Sequence, residues 1–150
     1  MDRSARLLVN GISYPSESLR ALEINSAVSS FASLPSVRKH LFEYQRSQVE
    51  VARKEKLNGI VMEGRDIGSV VFPDAEVKVY LTASPEVRAQ RRAAEVPGLD
   101  VDAAAADIRR RDEADSSRTA SPLVTADGAQ VLDTSELTVD GVVDAIVEML

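Results

Sequence analysis

Residues 59–87 read GIVMEGRDIGSVVFPDAEVKVYLTASPEV, and the order of apolar and polar residues in this stretch decides the fold class. The apolar run at residues 59–61 leads directly into charged residues, which predicts a buried strand that ends at a polar loop. Residues 77–81 are rich in β-branched and aromatic side chains and predict a second strand. Residues 84–95 begin with Ser-Pro, a typical N-cap and first helical turn, and predict a helix. Strands that alternate with helices predict an α/β fold with a parallel sheet flanked by helices.

The remainder of the chain continues the same alternation, in a length that suits one compact unit. Residues 7–14 place an Asn-Gly pair between two short apolar runs, which predicts a small antiparallel β ribbon. The other predicted elements are a helix that begins at Pro35, a helix from Asp100 or Asp102 to Arg111, a strand at residues 129–133 and a helix at residues 139–150.

Composition excludes several classes of function. The 150 residues carry a formal net charge of −6, no cysteine and a single histidine, His40, to which we assign no role. Net negative charge opposes nucleic-acid binding, and without cysteine neither disulfides nor thiolate metal sites can form, so we predict no metal site. No apolar run has the length of a membrane span or a signal peptide, so we predict a cytoplasmic protein without a membrane partner. We therefore expect a functional site that consists of Arg, Asp, Glu and Ser side chains and binds a small anionic ligand.

The densest polar cluster is RDEADSSR at residues 111–118. In a helix, Arg111, Asp115 and Arg118 share one face, because they lie four and three residues apart. A carboxylate between two guanidinium groups stays ionised and can accept hydrogen bonds from hydroxyls, while the arginines bind phosphate oxygens. The same spacing is found on solvated helix faces, and the local pattern by itself favours that simpler interpretation.

Two further clusters leave similar alternatives open. Gly64 and Gly68 flank an Arg-Asp pair at the end of the first predicted strand, which favours either a ligand contact or a tight turn capped by the aspartate. Residues 59–64 have the glycine spacing of a phosphate-binding loop but continue with Arg-Asp, so they do not form one. Arg88, Arg91 and Arg92 share a helical face, which is typical of solvated arginines unless an anion lies among them.

Several motifs in one order resemble the bacterial cytidylate kinases from about Arg20 to the C-terminus. They are EGRDIGSVVFPDAEVKVYLTAS, RAQRR, DIRRRDEADSSR, SPL and VLDTSELT. This resemblance implies a P-loop-kinase-like parallel sheet with a small antiparallel ribbon in the monophosphate-binding part. It also implies transfer of the γ-phosphoryl group of ATP, with Mg²⁺, to CMP or dCMP.

The resemblance implies six residues that bind the monophosphate substrate: Ser29, Arg38, Arg65, Asp66, Asp115 and Arg118. The cytosine edge is expected at Ser29, Arg38 and Asp66, and the ribose hydroxyls at Asp115. The substrate phosphate is expected at the remaining two arginines.

The ATP side of the site is implied in the same way. Arg88 and Arg92 are expected to face ATP, and Arg111 is expected to approach the transferring phosphoryl group, with Arg118 as a second catalytic arginine. Ala114 stands where some members of the family carry another arginine. Residues 94–108 correspond to a short lid, residues 1–34 to part of a monophosphate-binding subdomain, and residues 35–93 and 109–150 to the kinase core.

Members of the family carry a strand and a glycine-rich P-loop ahead of the region that this chain resembles, so we expect the chain to lack the P-loop and to be inactive or weak by itself. The family places the missing strand between the strand that ends at Glu63 and the strand that contains Tyr80. An alternative is a noncatalytic nucleotide-binding module that retains only the CMP pocket. The family implies a monomer, although open strand edges also allow self-association by strand complementation.

Overall fold

The computed structural model describes residues 8–14, 22–96, 98–117 and 123–150. In chain order the described elements are strand β1 (Leu8–Val9), strand β2 (Ile12–Ser13), helix α1 (Leu22–Ala32), helix α2 (Pro35–Lys54), a π-helical turn (Ile67–Val71), strand β3 (Val79–Thr82), helix α3 (Pro85–Glu95), helix α4 (Val101–Ser116), strand β4 (Gln130–Asp133) and helix α5 (Val139–Val147). This order confirms the α/β class.

Strands β3 and β4 form a parallel pair, as the alternation of strands and helices predicts. Their register matches Val79 with Gln130 and Thr82 with Asp133. Both strands therefore end at the same edge of the sheet, where α/β proteins commonly bind ligands. Helix α3 begins three residues after β3, so its first turn lies beside this edge.

Helices α3 and α4 pack against each other. The side chain of Ser84 caps α3 by accepting a hydrogen bond from the Val87 N–H, and Asp100 caps α4 in the same way. Ala89 and Ala104 are 2% and 0% exposed, so each helix presents a buried alanine. This packing brings the arginine-rich faces of the two helices together.

Helix α2 is attached to the π-helical turn through Arg46. The guanidinium group donates a hydrogen bond to the Val71 carbonyl at 3.2 Å and lies over the rings of Phe42 and Phe72, at 5.4 and 5.6 Å from their centroids. Val71 itself is 2% exposed. A cation held over two aromatic faces and one carbonyl fixes the end of the π-helical turn relative to α2.

Strands β1 and β2 pair antiparallel across Asn10 and Gly11. Both turn residues have positive φ values, 52° and 78°, as a type I′ hairpin turn requires. Asparagine and glycine tolerate this conformation better than other residues, which explains the Asn-Gly pair at this point. The assignment of this segment to a monophosphate-binding subdomain remains a prediction.

The strand predicted at residues 59–61 is wrong. These residues lie outside any strand, and the Val61 side chain is 97% exposed. An apolar run forms a strand only when a neighbouring strand supplies hydrogen bonds, and within the described ranges the parallel sheet consists of β3 and β4 alone. Local composition favoured a strand, but residues 59–61 do not pair with a neighbouring strand.

Smaller differences concern the helices. The sequence patterns considered above did not predict α1, and α4 continues to Ser116 instead of ending at Arg111. Helix α5 ends at Val147 and exposes several of its apolar side chains, including Val143, which is 52% exposed. None of the helices within the described ranges is long and apolar enough to cross a bilayer.

Candidate functional site

The first part of the site is an ion pair between α2 and the loop before the π-helical turn. The Arg38 guanidinium donates through Nη2 to Asp66 Oδ2, and its Nη1 donates to the Ala32 carbonyl at 3.3 Å. The two charged side chains are only 20% and 14% exposed. The backbone carbonyl of Asp66 accepts hydrogen bonds from Val70 and Val71 N–H, so the π-helical turn holds the aspartate in place. Two residues predicted to bind the cytosine edge therefore lie in contact.

Gly64 shapes the loop that carries the neighbouring arginine. A Cβ atom at this position would lie 2.7 Å from Ile67 Cγ1, well inside normal contact distance. The loop can therefore pack against the start of the π-helical turn only with glycine here. The next residue, Arg65, contacts α4.

Arg65 connects this loop to two carboxylates on α4. Its Nη1 lies 3.5 Å from Asp112 Oδ1, and its Nε lies 3.5 Å from Asp115 Oδ2. Asp115 is 3% exposed, whereas the Arg65 side chain is 40% exposed. The arginine thus spans from solvent to a buried carboxylate, which leaves its outer part accessible to a ligand.

Asp112 also binds an arginine of α3. Arg88 Nη2 lies 2.5 Å from Asp112 Oδ2, while the other oxygen of the same carboxylate faces Arg65. One carboxylate therefore lies between two guanidinium groups from different elements. Because Arg65 precedes Asp66 in the loop, charges of alternating sign follow one another from Arg38 and Asp66 through Arg65 and Asp112 to Arg88, and we call this set the chain of charges.

A cleft of about 310 Å³ opens beside this chain of charges. Its lining combines five guanidinium groups with three carboxylates: Arg65, Arg88, Arg91, Arg92, Glu95, Asp107, Ile108, Arg111 and Asp112. The cleft is therefore locally positive in a chain whose net charge is −6. A local excess of positive charge inside an acidic protein attracts small anions and not extended polyanions.

Two buried donors in this cleft have no acceptor in the described part of the chain. They are Arg92 Nη2 and Arg111 Nε. Arg92 uses its other terminal nitrogen to approach Glu95 Oε2 at 3.5 Å. A buried N–H without an acceptor is unfavourable, so Arg92 and Arg111, which both line the cleft, retain hydrogen-bonding capacity that the described residues do not use.

Arg91 serves a different purpose from its two neighbours in the predicted cluster. It donates to Thr134 Oγ1 at 2.8 Å, to the Thr134 carbonyl at 2.6 Å and to the Leu137 carbonyl at 3.3 Å. Thr134 is 6% exposed and follows β4 directly. Arg91 thereby holds α3 against the carboxyl end of the sheet, with its donors matched to protein acceptors.

The same edge of the sheet carries an ordered polar turn. Asp133 Oδ1 accepts hydrogen bonds from the Ser135 hydroxyl at 2.6 Å and from the Ser135 N–H at 2.8 Å. The hydroxyl bond, the backbone bond and the nearby Arg91 charge hold the pKa of Asp133 below its usual value. Ser135 Oγ accepts in turn from the Ser84 N–H, the residue that caps α3. The turn therefore connects the end of β4 with the start of α3.

The site residues predicted from the sequence are only partly visible in the structure. The structure brings Arg38 and Asp66 into contact and places Arg65 beside Asp115. The arginines of α3 and α4 that were predicted to face ATP or the transferring phosphoryl group line the cleft: Arg88, Arg92 and Arg111. Arg118 lies outside the described residues, and so does the side chain of Ser29. The described residues include no group of three or more acidic or histidine side chains that could hold a metal ion.

The residue that sequence reasoning missed is Asp112. It received no role, although it accepts from two arginines that did. A usable signal was present, because Asp112 lies three residues before Asp115 and therefore on the same helical face. What the spacing could not reveal is that Arg65 and Arg88 both reach this face.

Comparisons with known proteins agree with one another. The family model described as Cytidylate kinase matches residues 2–150. A cytidylate kinase of Streptomyces avermitilis is 47% identical over 132 residues, which cover 88% of this chain and 55% of that protein. One of Rhodococcus jostii is 48% identical over 131 residues (85% and 55%), and one of Corynebacterium glutamicum is 42% identical over 151 residues (98% and 63%). The chain thus spans about 55–63% of the length of these relatives.

Proposed function

Since the chain belongs to the cytidylate kinase family, we propose that its site serves an ATP-dependent phosphotransferase that converts CMP or dCMP to the diphosphate. The observation that carries this proposal is that one loop, through the adjacent residues Arg65 and Asp66, carries both the ion pair to Arg38 and the ion pairs that lead to Arg88. It links a half-buried polar pair, suited to a base edge, with an arginine-lined cleft suited to phosphates. Both features are needed to bind a nucleotide and act on its phosphate.

We assign the acceptor nucleotide to the α2 side of this chain of charges. Arg38 and Asp66 offer donors and an acceptor that match the ring carbonyl and exocyclic amine of cytosine, with Ser29 as a further contact. Asp115 is a carboxylate that can accept hydrogen bonds from ribose hydroxyls, and Arg65 beside it is suited to the monophosphate. Arg118 is proposed as a second ligand of that phosphate.

We assign ATP to the cleft between α3 and α4. Arg88 and Arg92 would bind its phosphates, and Arg111 would stabilise the transferring phosphoryl group. The guanidinium groups of Arg92 and Arg111 are suited to a polyphosphate, because both line the cleft and each keeps a donor that no described residue accepts from. Magnesium is usually held through substrate phosphates, so we propose that it enters with the nucleotide.

Phosphoryl transfer requires little covalent participation by the protein. Negative charge is spread over the equatorial oxygens while the attacking and leaving oxygens lie roughly in line. The chain contributes by positioning the acceptor at Arg65 and by placing guanidinium donors around the phosphates. A site built from Arg and Asp, without cysteine, is adequate for this chemistry.

A finer proposal concerns the 150-residue chain by itself. Its sequence contains no Gly-x-x-x-x-Gly-Lys followed by Ser or Thr, the loop whose backbone N–H groups hold ATP phosphates. We propose that this polypeptide binds CMP but forms ADP slowly or not at all. The alternative is that the chain is a noncatalytic nucleotide-binding module, whose only function is to bind CMP. The division into core, monophosphate-binding part and lid at residues 94–108, and a monomeric state, also remain proposals.

Calorimetric titration tests the nucleotide assignment. CMP is titrated into the wild-type chain, into Asp66→Asn and into Asp74→Asn, which removes the same charge from an exposed turn. Hydrogen bonds to charged groups contribute about 2 kcal/mol, so we expect Asp66→Asn to weaken CMP binding on the order of 30-fold. We expect Asp74→Asn to match the wild type, and cytidine to bind more weakly than CMP.

Two results of this titration would contradict the nucleotide assignment. Absence of CMP binding to a folded wild-type chain would refute the proposed function, and equal affinities for both variants would remove Asp66 from the base site. Circular dichroism identifies any variant that has unfolded, and the comparison of CMP with cytidine on the wild type does not depend on variants. Coupled detection of ADP with CMP and ATP then tests turnover: rapid ADP formation would overturn the proposal that the chain alone is inactive or weak.

A further inference from the structure

Asp112 has an unusual position among the acidic residues of the site, because it faces two arginines from separate elements. Its Oδ1 lies 3.5 Å from Arg65 Nη1, and its Oδ2 lies 2.5 Å from Arg88 Nη2. The carboxylate is 28% exposed and lines the cleft. It therefore occupies the space between two guanidinium groups at the edge of the cleft.

The two arginines come from opposite sides of the proposed reaction. Arg65 lies in the loop before the π-helical turn, on the side assigned to the monophosphate, and Arg88 lies on α3, on the side assigned to ATP. Asp115 lies one helical turn after Asp112 and approaches only Arg65 among these two. Asp112 is thus the carboxylate that connects both sides.

We propose that Asp112 is an internal counter-ion that occupies the anion position between Arg65 and Arg88 until a phosphate group displaces it. It keeps two like charges close together without ligand, and it competes with the incoming phosphate for the same donors. This makes Asp112 a positioning residue that lowers phosphate affinity while it holds the arginines in place. The identity of the displacing group as a nucleotide phosphate rests on the proposed function.

The proposed competition predicts the direction in which anion affinity changes when Asp112 is replaced. Removal of a negative charge that lies within hydrogen-bonding distance of both donors should strengthen anion binding, because the ligand no longer has to displace it or approach it. Asp112 is partly exposed, so solvent screens the effect and we expect a moderate change. A merely structural ion pair would give the opposite result, since its loss would disorder the arginines and weaken binding.

Calorimetry at low ionic strength with inorganic pyrophosphate tests this competition. We expect Asp112→Asn to bind pyrophosphate about fivefold to tenfold more tightly than the wild type. Glu113→Gln is the matched control, because it removes the same charge from the next residue of α4, which is exposed and does not line the cleft. We expect Glu113→Gln to change the affinity less than twofold. Unchanged or weaker binding by a folded Asp112→Asn variant would overturn the proposal.

A second measurement uses the wild-type chain and decides the question if Asp112→Asn does not fold. The side-chain Nε–H signals of Arg65 and Arg88 are followed by NMR during titration with pyrophosphate, with Arg→Lys variants for assignment. We expect both signals to shift together with one apparent affinity, because one anion replaces one shared carboxylate. A shift of only one signal, or of neither, would overturn the proposal.

Titration of the same variants with CMP separates this inference from the proposed function. If pyrophosphate binding is strengthened in Asp112→Asn but CMP does not bind any variant, the counter-ion is supported and the nucleotide assignment fails. If CMP binds the wild type and Asp112→Asn strengthens neither ligand, the nucleotide assignment stands and the counter-ion fails.

Discussion

Arg91 and Arg92 are adjacent on α3, but they face two regions that use the guanidinium group differently. Arg91 reaches the carboxyl end of β4, where it donates three hydrogen bonds to Thr134 and Leu137. Arg92 faces the cleft, where its Nη2 is buried without an acceptor in the described part of the chain. The residue type is the same in both regions. What distinguishes a structural arginine from one suited to a ligand is whether acceptors within the protein already satisfy its N–H donors.

The same balance separates the two regions as wholes. At the end of β4, the donors of Arg91, Ser84 and Ser135 meet carbonyl, hydroxyl and carboxylate acceptors within the protein. In the cleft, the four other guanidinium groups, those of Arg65, Arg88, Arg92 and Arg111, meet only three carboxylates. The first region is therefore expected to respond to mutation through stability, and the second through anion affinity.

The largest effect is expected from Arg91→Met, which keeps an apolar side chain of similar length but removes all three hydrogen bonds. We expect the free energy of unfolding to fall by about 2–3 kcal/mol, because part-buried acceptors at the end of β4 lose their partner. Urea denaturation followed by circular dichroism measures this change. Arg92→Met should cost less than about 1 kcal/mol, since the Glu95 carboxylate that it approaches is 56% exposed. Equal destabilisation by the two variants would show that Arg91 and Arg92 contribute equally to stability, contrary to this prediction.

An intermediate effect is expected from Arg92→Met on anion binding. We expect its affinity for pyrophosphate to fall about tenfold, or about 1.4 kcal/mol, because a buried charged donor no longer meets the ligand. Arg53→Met is the control, since Arg53 carries the same charge on an exposed part of α2 and pairs with Glu50. If both variants lose the same affinity, the cleft contributes only net charge and not directed donors. Calorimetry at fixed ionic strength makes the measurement.

The smallest effect is expected from the titration of Asp133. Its pKa is lowered in the folded chain, so the stability that it contributes is present above the ordinary aspartate pKa of about 3.9 and is lost as the pH falls through the lower folded-state pKa. We expect the difference in melting temperature between the wild type and Asp133→Asn to shrink as the pH is lowered through this range. Other carboxylates titrate in both proteins and cancel in the difference. A difference that stays constant, or grows toward acid, would contradict the assigned hydrogen bonds.

Local sequence signals predicted the elements whose ends are set by their own residues. Residue type and spacing predicted the proline start of α2 and the Ser84 cap of α3. For α4 they left the cap open between Asp100 and Asp102, and the structure has Asp100. The strand at residues 59–61 was predicted on the same kind of signal and is wrong, because a strand depends on a partner and a helix does not. The roles of the individual site residues stay predictions.

Residue spacing predicted which charged side chains lie on one side of a helix, because the period of a helix fixes the direction of each residue relative to the helix axis. It therefore grouped Arg88, Arg91 and Arg92 on α3 and put Asp115 one turn from Arg111 on α4, although Arg91 and Arg92 then meet different regions. Only the tertiary structure decided which partner each one meets. Arg91 binds Thr134 43 residues away, and Arg65 approaches Asp112 47 residues away, so both contacts depend on how separate elements pack. No local period carries that information, since it arises when α3, α4 and the loop before the π-helical turn come together.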